Sequence, residues 1–386
     1  MLTAGEVKMC VFTGSRADYG PLVPVIRRLA RDPEVDLRIL VSGGHLLREQ
    51  GNTVDAIEGD GLTVAERIEV VLAGDSPVAV AKSIGLGVLG YADAFARIAP
   101  DVLCVLGDRY EALAAALAAL PRNVLIVHFG GGQLTLGSAD DRIRHALSQL
   151  AHLHFVFAEE DRVRLLGMGI DEGTVHNAGR INIDAELTAH LPDRRAVERR
   201  LGVRLRAPSF AVTFHPVTEK PEETSRALAA LLSVLRTYDH GTVVFTAPNV
   251  DHGSHAITEA VARFVANHPD LATFVPSLGQ HGYLGLIRHC DVVIGNSSSG
   301  LLEAPVVGTP TVNIGSRQDG RPRAASVFDC AGTPGGIRAA IESALAHGTR
   351  HDHQGVAVPT GEDIDRSVIE VIKRAWRERC SATKEE

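Results

Sequence analysis

The feature that most constrains this sequence is a rhythm. Short β-branched apolar runs alternate with longer amphipathic stretches up to about Arg180, and the alternation then starts again. Such a pattern builds βα units whose strands run parallel, because each helix returns the chain to the same edge of the sheet. In the first half the predicted strands are Met9–Phe12, Leu37–Val41, Val102–Leu106, Val124–Val127 and His154–Phe157, with helices over Gly20–Arg31, Pro77–Ile98 and Glu111–Ala119. In the second half they are Phe210–Phe214, Thr242–Thr246, Ala272–Val275, Asp291–Ile294 and Thr311–Asn313. Ile181–Arg206 is charged and helical in pattern and reads as a link, so the expected domains are 1–183 and 184–362, with the boundary near Asp184. Ile364, Val368, Ile369, Val371 and Ile372 recur at helical spacing, and the final segment, 363–386, is expected to pack back on the first domain. The expected fold class is α/β, two doubly wound domains facing across a cleft, with binding loops at the carboxyl ends of the strands.

Composition excludes several classes. The chain of 386 residues is 45% hydrophobic, enough for two cores, and the expectation is that nothing in it spans a membrane. A net charge of −8 offers no field for nucleic acid, and no basic run suggests a membrane surface. The first residues pass directly into an apolar strand without a secretory pattern, and Cys10, Cys104, Cys290, Cys330 and Cys380 form no C-x-x-C pair. The expectation is a reduced, cytoplasmic protein without a metal.

Chemistry gathers after the strands. Gly85-Leu86-Gly87-Val88-Leu89-Gly90 satisfies G-x-G-x-x-G but sits inside a helical pattern, so helix packing explains it better than a dinucleotide. Thr13-Gly14-Ser15-Arg16-Ala17-Asp18 reads either as a diphosphate-facing loop or as a plain turn with Asp18 as cap. Asp108 ends a strand and can relay a proton, whereas Arg109 and Glu111 can simply pair. The glycine-rich loop from His128 brings in Gln133, Asp140, Asp141, Arg144 and His145, and the two aspartates double as caps of the next helix. In the second half, His215, Asn249 and the turn Asn296-Ser297-Ser298-Ser299-Gly300 end strands. Glu303 is placed to hold a ribose diol, and Arg317, Gln318, Arg321 and Arg323 share a short loop that reads as an anion clamp or as a surface charge cluster.

Together the motifs TGSRADYG, SGGHL (with His45), LGDRYEA, HFGGGQLTLGSADDRIRHA, HLHF, TFHPVT, APNVD, IGNSSSGLLEAP and NIGSRQDGR resemble the hydrolysing UDP-N-acetylglucosamine 2-epimerases, over about Val11 to Arg323. That resemblance implies two Rossmann-like domains in the glycosyltransferase-B arrangement, a UDP-sugar substrate, and no cofactor. It also implies elimination of UDP followed by hydration of the bound glycal to the 2-epimeric sugar. The homo-oligomer expected of such an enzyme is a dimer. Residues implied in catalysis are Asp108, Gln133, Asp140, Asp141 and His215. Those implied in binding are Arg16, Asp18, His45, Arg109, Arg144, His145, Asn249, Asn296 to Gly300, Glu303, Arg317, Gln318 and Arg321. The chain departs from the family pattern at Gly130 and Gln133, where a histidine and a glutamate are usual, and at Gln149, where a lysine is usual. An amide is no base. These departures point to a changed substrate or second step, or to lost epimerisation. A glycosyltransferase, a hydrolase without epimerisation and a non-catalytic nucleotide-sugar binder are the alternatives.

Overall fold

The computed structural model describes residues 6–72, 74, 76–136, 140–179, 181, 183, 185–217, 220–349 and 361–385. Two all-parallel sheets form. The first contains β1 (Val7–Thr13), β2 (Val35–Ser42), β3 (Val64–Ile68), β4 (Val102–Leu106), β5 (Leu125–Phe129), β6 (Leu153–Val156) and β7 (Val175–Asn177), in the order β3-β2-β1-β4-β5-β6-β7. The second contains β8 (Ser209–Thr213), β9 (Thr242–Thr246), β10 (Ala272–Val275), β11 (Val292–Gly295), β12 (Thr311–Ile314) and β13 (Val327–Cys330), ordered β10-β9-β8-β11-β12-β13. Central strands such as VLCVL and SFAVT are buried along their whole length, as expected where helices cover both faces.

The order of each sheet reverses once, between β1 and β4 and between β8 and β11. At such a switch point the following helices leave on opposite faces, and a crevice opens beyond the strand ends. The register fixes its depth: Val11 pairs with Cys104, and Gly295 with Thr213. Gly295 is obligatory there. Its φ is +143°, and a Cβ would run into the Thr213 carbonyl.

All ten strands expected from sequence form. The three beyond these, β3, β7 and β13, are three of the four sheet-edge strands, VAERI, VHN and VFDC, short and partly polar. The G-x-G-x-x-G lies within the helix Pro77–Ile98, where Gly87 meets Ala114 of the next helix. The boundary expected near Asp184 lies outside the described residues, as do Gly137-Ser138-Ala139 of the glycine-rich loop. Helices Ala185–Ala189 and Arg194–Leu201 occupy the linking stretch.

The last helix, Gly361–Glu385, buries Val368, Ile369 and Ile372 in the same core as β1 and the helix Arg16–Arg31. Its Lys373 donates to Asp32 (2.9 Å) and Glu34 (2.8 Å). The core contact is the larger contribution, because Ile372 is fully buried whereas Lys373's partner Glu34 is open to solvent and Asp32 is only partly covered. Ile372→Ala should therefore lower stability by about 2–5 kcal/mol in denaturant unfolding, and Lys373→Ala by clearly less.

Candidate active site

One cleft of about 1140 Å³, counting its solvent-open mouth, lies between the two switch points. From the first domain it is lined by Arg16, Asp108, Arg109, Thr135 and Asp140, and from the second by His215, Asn249, Ser297 to Ser299, Glu303, Arg317 and Arg321.

The domains are pinned together by charge. Arg109, at the N-terminal end of the helix Tyr110–Ala119, makes a short ion pair with Asp251 across the cleft and a 3.1 Å pair with Glu111. Burial alone would weaken its hold on a proton, but Asp251 and Glu111 outweigh that and keep Arg109 well above its ordinary pKa. Burial pushes Glu111 up to about 7, opposed by Arg109. Arg16 adds a second strut, donating to the carbonyls of Pro276 (2.5 Å) and Ala247 (3.0 Å) while still lining the cleft.

On the first wall, the Asp108 carboxylate takes a short hydrogen bond from Arg144 on one oxygen, its one side-chain partner among the described residues. The other oxygen is left to accept. Arg144 is fully buried and also donates to the Gln133 carbonyl (2.8 Å) and to Thr135 Oγ1 (2.9 Å). Burial, reinforced by Arg321, lowers its pKa well below the usual value. Asp140 faces Arg317 at 3.8 Å.

On the second wall, His215 Nδ1 accepts the Asn249 N–H (3.2 Å), so a neutral ring carries its proton on Nε2. Burial, then Arg317, holds His215 far below its ordinary pKa, so the ring is neutral and donates. Asn296 clamps both backbone groups of His215, accepting from its N–H (2.7 Å) and donating to its carbonyl (2.8 Å). Gln318 in turn donates to the Asn296 carbonyl (2.8 Å). Burial and Arg317 lower Arg321 to about 10, partly offset by Asp140, leaving it cationic at neutral pH. Burial raises Glu303 to about 7. Tyr283, which the sequence did not single out, lines the cleft and shares a 2.7 Å hydrogen bond with Ser299. The serine turn leads into a single helical turn, Ser299–Leu302, shorter than the helix start expected there.

Several expected contact residues stand behind the wall. Asp18 accepts from the backbone of Gly14 and Ser15 and from the Ser15 hydroxyl, capping its helix. His45 bridges Thr13 (2.8 Å) and Thr53 (2.7 Å). Asp141 holds the Thr135 N–H (2.6 Å) and faces His145 at 3.5 Å. Gly300 takes the Thr311 hydroxyl on its carbonyl (2.8 Å). Asp18, His45, Asp141 and the Gly300 carbonyl are thus held within their own domain and shape its loops.

The family departures also fall off the wall. Gln133 is half-buried and is not among the lining residues, and Gln149 is exposed, donating to the Met168 carbonyl (3.1 Å). Gly130 has φ +77°, where a side chain is strained, and Phe157 packs against it. None of the three is among the residues that line the cleft. Among the described residues no group of His, Cys, Asp or Glu is arranged to hold a metal.

Two doubly wound domains, an anion-binding wall and an acidic wall across a shared cleft define an enzyme of the nucleotide-sugar class. The sequence profile of UDP-N-acetylglucosamine 2-epimerases matches residues 27–362, and the chain belongs to that family. It is 34% identical to the hydrolysing GDP/UDP-N,N'-diacetylbacillosamine 2-epimerase of Campylobacter jejuni, covering 83% of this chain and 84% of that one. It is 35% identical to the hydrolysing UDP-N,N'-diacetylbacillosamine 2-epimerase of Legionella pneumophila, covering 88% and 89%. The UDP-GlcNAc 2-epimerase of Neisseria meningitidis, solved bound to UDP-GlcNAc, has the same fold, with a TM-score of 0.77 over 95% of this chain and 100% of that chain at 16% identity.

Removing one partner of the Arg109–Asp251 pair leaves a buried charge half-compensated. Asp251→Asn should cost about 3–5 kcal/mol in unfolding and enlarge the radius of gyration in small-angle scattering as the cleft opens.

Proposed function

We propose that the chain converts a UDP-linked 2-acetamido sugar to UDP and the free 2-epimeric sugar. The carrying observation is the opposition of walls: the Asp108 and Asp140 carboxylates on one side, and Arg317, Arg321 and the serine turn on the other. The relatives' names support a substrate with two acetamido groups, of the diacetylbacillosamine type, over UDP-N-acetylglucosamine.

In this reading the diphosphate sits against Ser297 to Ser299, Arg317 and Arg321, and Glu303 accepts from the ribose hydroxyls. Asp108 takes the proton from C2 through its second oxygen. The C–H electron pair becomes the C1=C2 double bond, and the C1–O bond breaks with its electrons leaving on UDP. The neutral His215 donates from Nε2 to the departing phosphate oxygen, a stabilisation that grows as charge develops there. Water then adds across the double bond: its hydroxyl bonds C1, and the proton it loses is taken up by the Asp140 carboxylate and passed on to C2. That proton arrives on the face opposite to the one that lost its proton, while Asp108 returns the abstracted proton to solvent. Buried Arg144 holds Asp108 in place. Gln133 serves through its backbone carbonyl, so its lost carboxylate does not remove the base. A cytosolic setting is part of the proposal and is supported by five unpaired cysteines. So is a homodimer.

Incubation with each candidate sugar nucleotide should release UDP and a reducing sugar in equal amounts. Asp108→Asn should lower kcat by about 10²–10⁴-fold while UDP affinity changes little. An equal loss of affinity would make Asp108 a binding residue. Because Glu303 is raised to about 7 by burial, its ribose-binding carboxylate is lost as pH falls through that value. UDP should bind more weakly at about pH 6 than at about pH 8, and Glu303→Gln should remove that part of the dependence in calorimetric titration.

A further inference from the structure

His128 takes no part in the proposed reaction and does not line the cleft, yet it is fully buried with both ring nitrogens in use. It stands on β5 in register with Val105, one strand away from the end of β4. Its Nε2 lies 2.8 Å from the Gly107 carbonyl and its Nδ1 3.1 Å from the Ser148 hydroxyl. A carbonyl can only accept, so Nε2 carries the proton and donates. Burial lowers the ring to about 4, which keeps it neutral and leaves Nδ1 to accept from Ser148. Ser148 shares its proton between that nitrogen and the Arg144 carbonyl (3.0 Å).

The residue that this contact holds is the one before the base. Gly107 has φ +80°, and a Cβ there would meet nothing within 4 Å, so no packing fixes its conformation. A glycine in open space samples both signs of φ. Two hydrogen bonds hold it instead: its N–H donates to the Phe129 carbonyl (2.9 Å), and its carbonyl takes the His128 proton. Because the peptide unit is planar, a fixed Gly107 carbonyl also fixes the plane from which Asp108 departs. The Asp108 carboxylate is held separately by Arg144. Arg144 and Ser148 share a face of the helix Asp140–Leu150, so one helix reaches the base twice. Arg144 grips its carboxylate, and Ser148 acts through His128 on its backbone. Gly131 closes over this pair, where a Cβ would come to 2.9 Å from Ser148 Oγ and 3.2 Å from His128 Nδ1.

We infer that His128 is a positioning residue for the base, locked as its Nε2–H tautomer by Ser148 and aiming Asp108 through the Gly107 carbonyl. Its kinetic consequence rests on the reading of Asp108 as the group that takes the C2 proton.

Two amides separate positioning from packing. In His128→Gln the amide nitrogen reaches the place of Nε2 and still donates to Gly107, whereas in His128→Asn it reaches only the place of Nδ1. His128→Asn should lower kcat roughly 10–100-fold, as an ångström-scale misplacement of a reacting group does, with UDP affinity by calorimetry unchanged. His128→Gln should recover most of that loss. The primary isotope effect from substrate deuterated at C2 should also rise in His128→Asn, because proton removal becomes the slower step. A variant that is merely less folded lowers kcat and leaves that effect alone. Crystal structures of both variants read the aim of Asp108 whatever the reaction: its carboxylate should leave Arg144 in His128→Asn and keep it in His128→Gln. Equal kcat in the two variants, or Asp108 undisturbed in both structures, overturns the inference. Wild-type release of UDP without exchange at C2 instead rejects the reaction read for Asp108, and the two structures then decide the positioning alone.

Discussion

The ion pair between Arg109 and Asp251, buried with Glu111 at the meeting of the two domains, is the interaction on which the rest of the structure depends. Neither wall of the cleft is a site by itself. The first brings the Asp108 and Asp140 carboxylates, and the second the serine turn with Arg317 and Arg321. Arg109 couples them directly, and Arg16 repeats the coupling with backbone carbonyls. Burying charge is costly, and the cost is tolerable because Asp251 and Glu111 compensate a guanidinium that cannot shed its proton.

The same electrostatics divide the labour. Burial, aided by Arg317, depresses the proton affinity of His215, which keeps the ring neutral and leaves it a donor, and the same two causes act on Arg321. Asp140 facing Arg317 stays within reach of the same space. Charge is thus arranged for a transition state in which negative charge leaves toward the second domain while a proton moves on the first. The strand ends deliver these groups because both sheets reverse their order at the cleft.

Much of this was legible in the sequence. Buried strands such as VVIG and LIVHF are continuous apolar runs, and the turns after them carry the polar residues, so ten strands and the polar turns at both switch points could be read. Three of the edge strands could not, because VAERI, VHN and VFDC are short and broken by polar residues, which does not distinguish them from loops. Within the site, the sequence identified which loops meet but not which way their side chains turn. Asp18, His45 and Asp141 lie in the right loops and point inward to hold them, a choice fixed by neighbours such as Thr53 and Thr135. Tyr283 was missed because it lies mid-helix in GQHGYLGLIRH, where a tyrosine reads as core. Asp251 stands in the sequence only as the last residue of APNVD, since its partner Arg109 is distant in the chain and nothing local announces the pair.

The central claim is that the joined walls carry out elimination at C2 followed by hydration. Turnover in deuterium oxide tests it most directly, with the released sugar examined by mass spectrometry and proton NMR. One deuterium at C2 of a 2-epimeric free sugar is the predicted result. A released sugar with its original configuration and an undeuterated C2 would contradict the account, because it would mean that the same cleft only hydrolyses the bond to UDP.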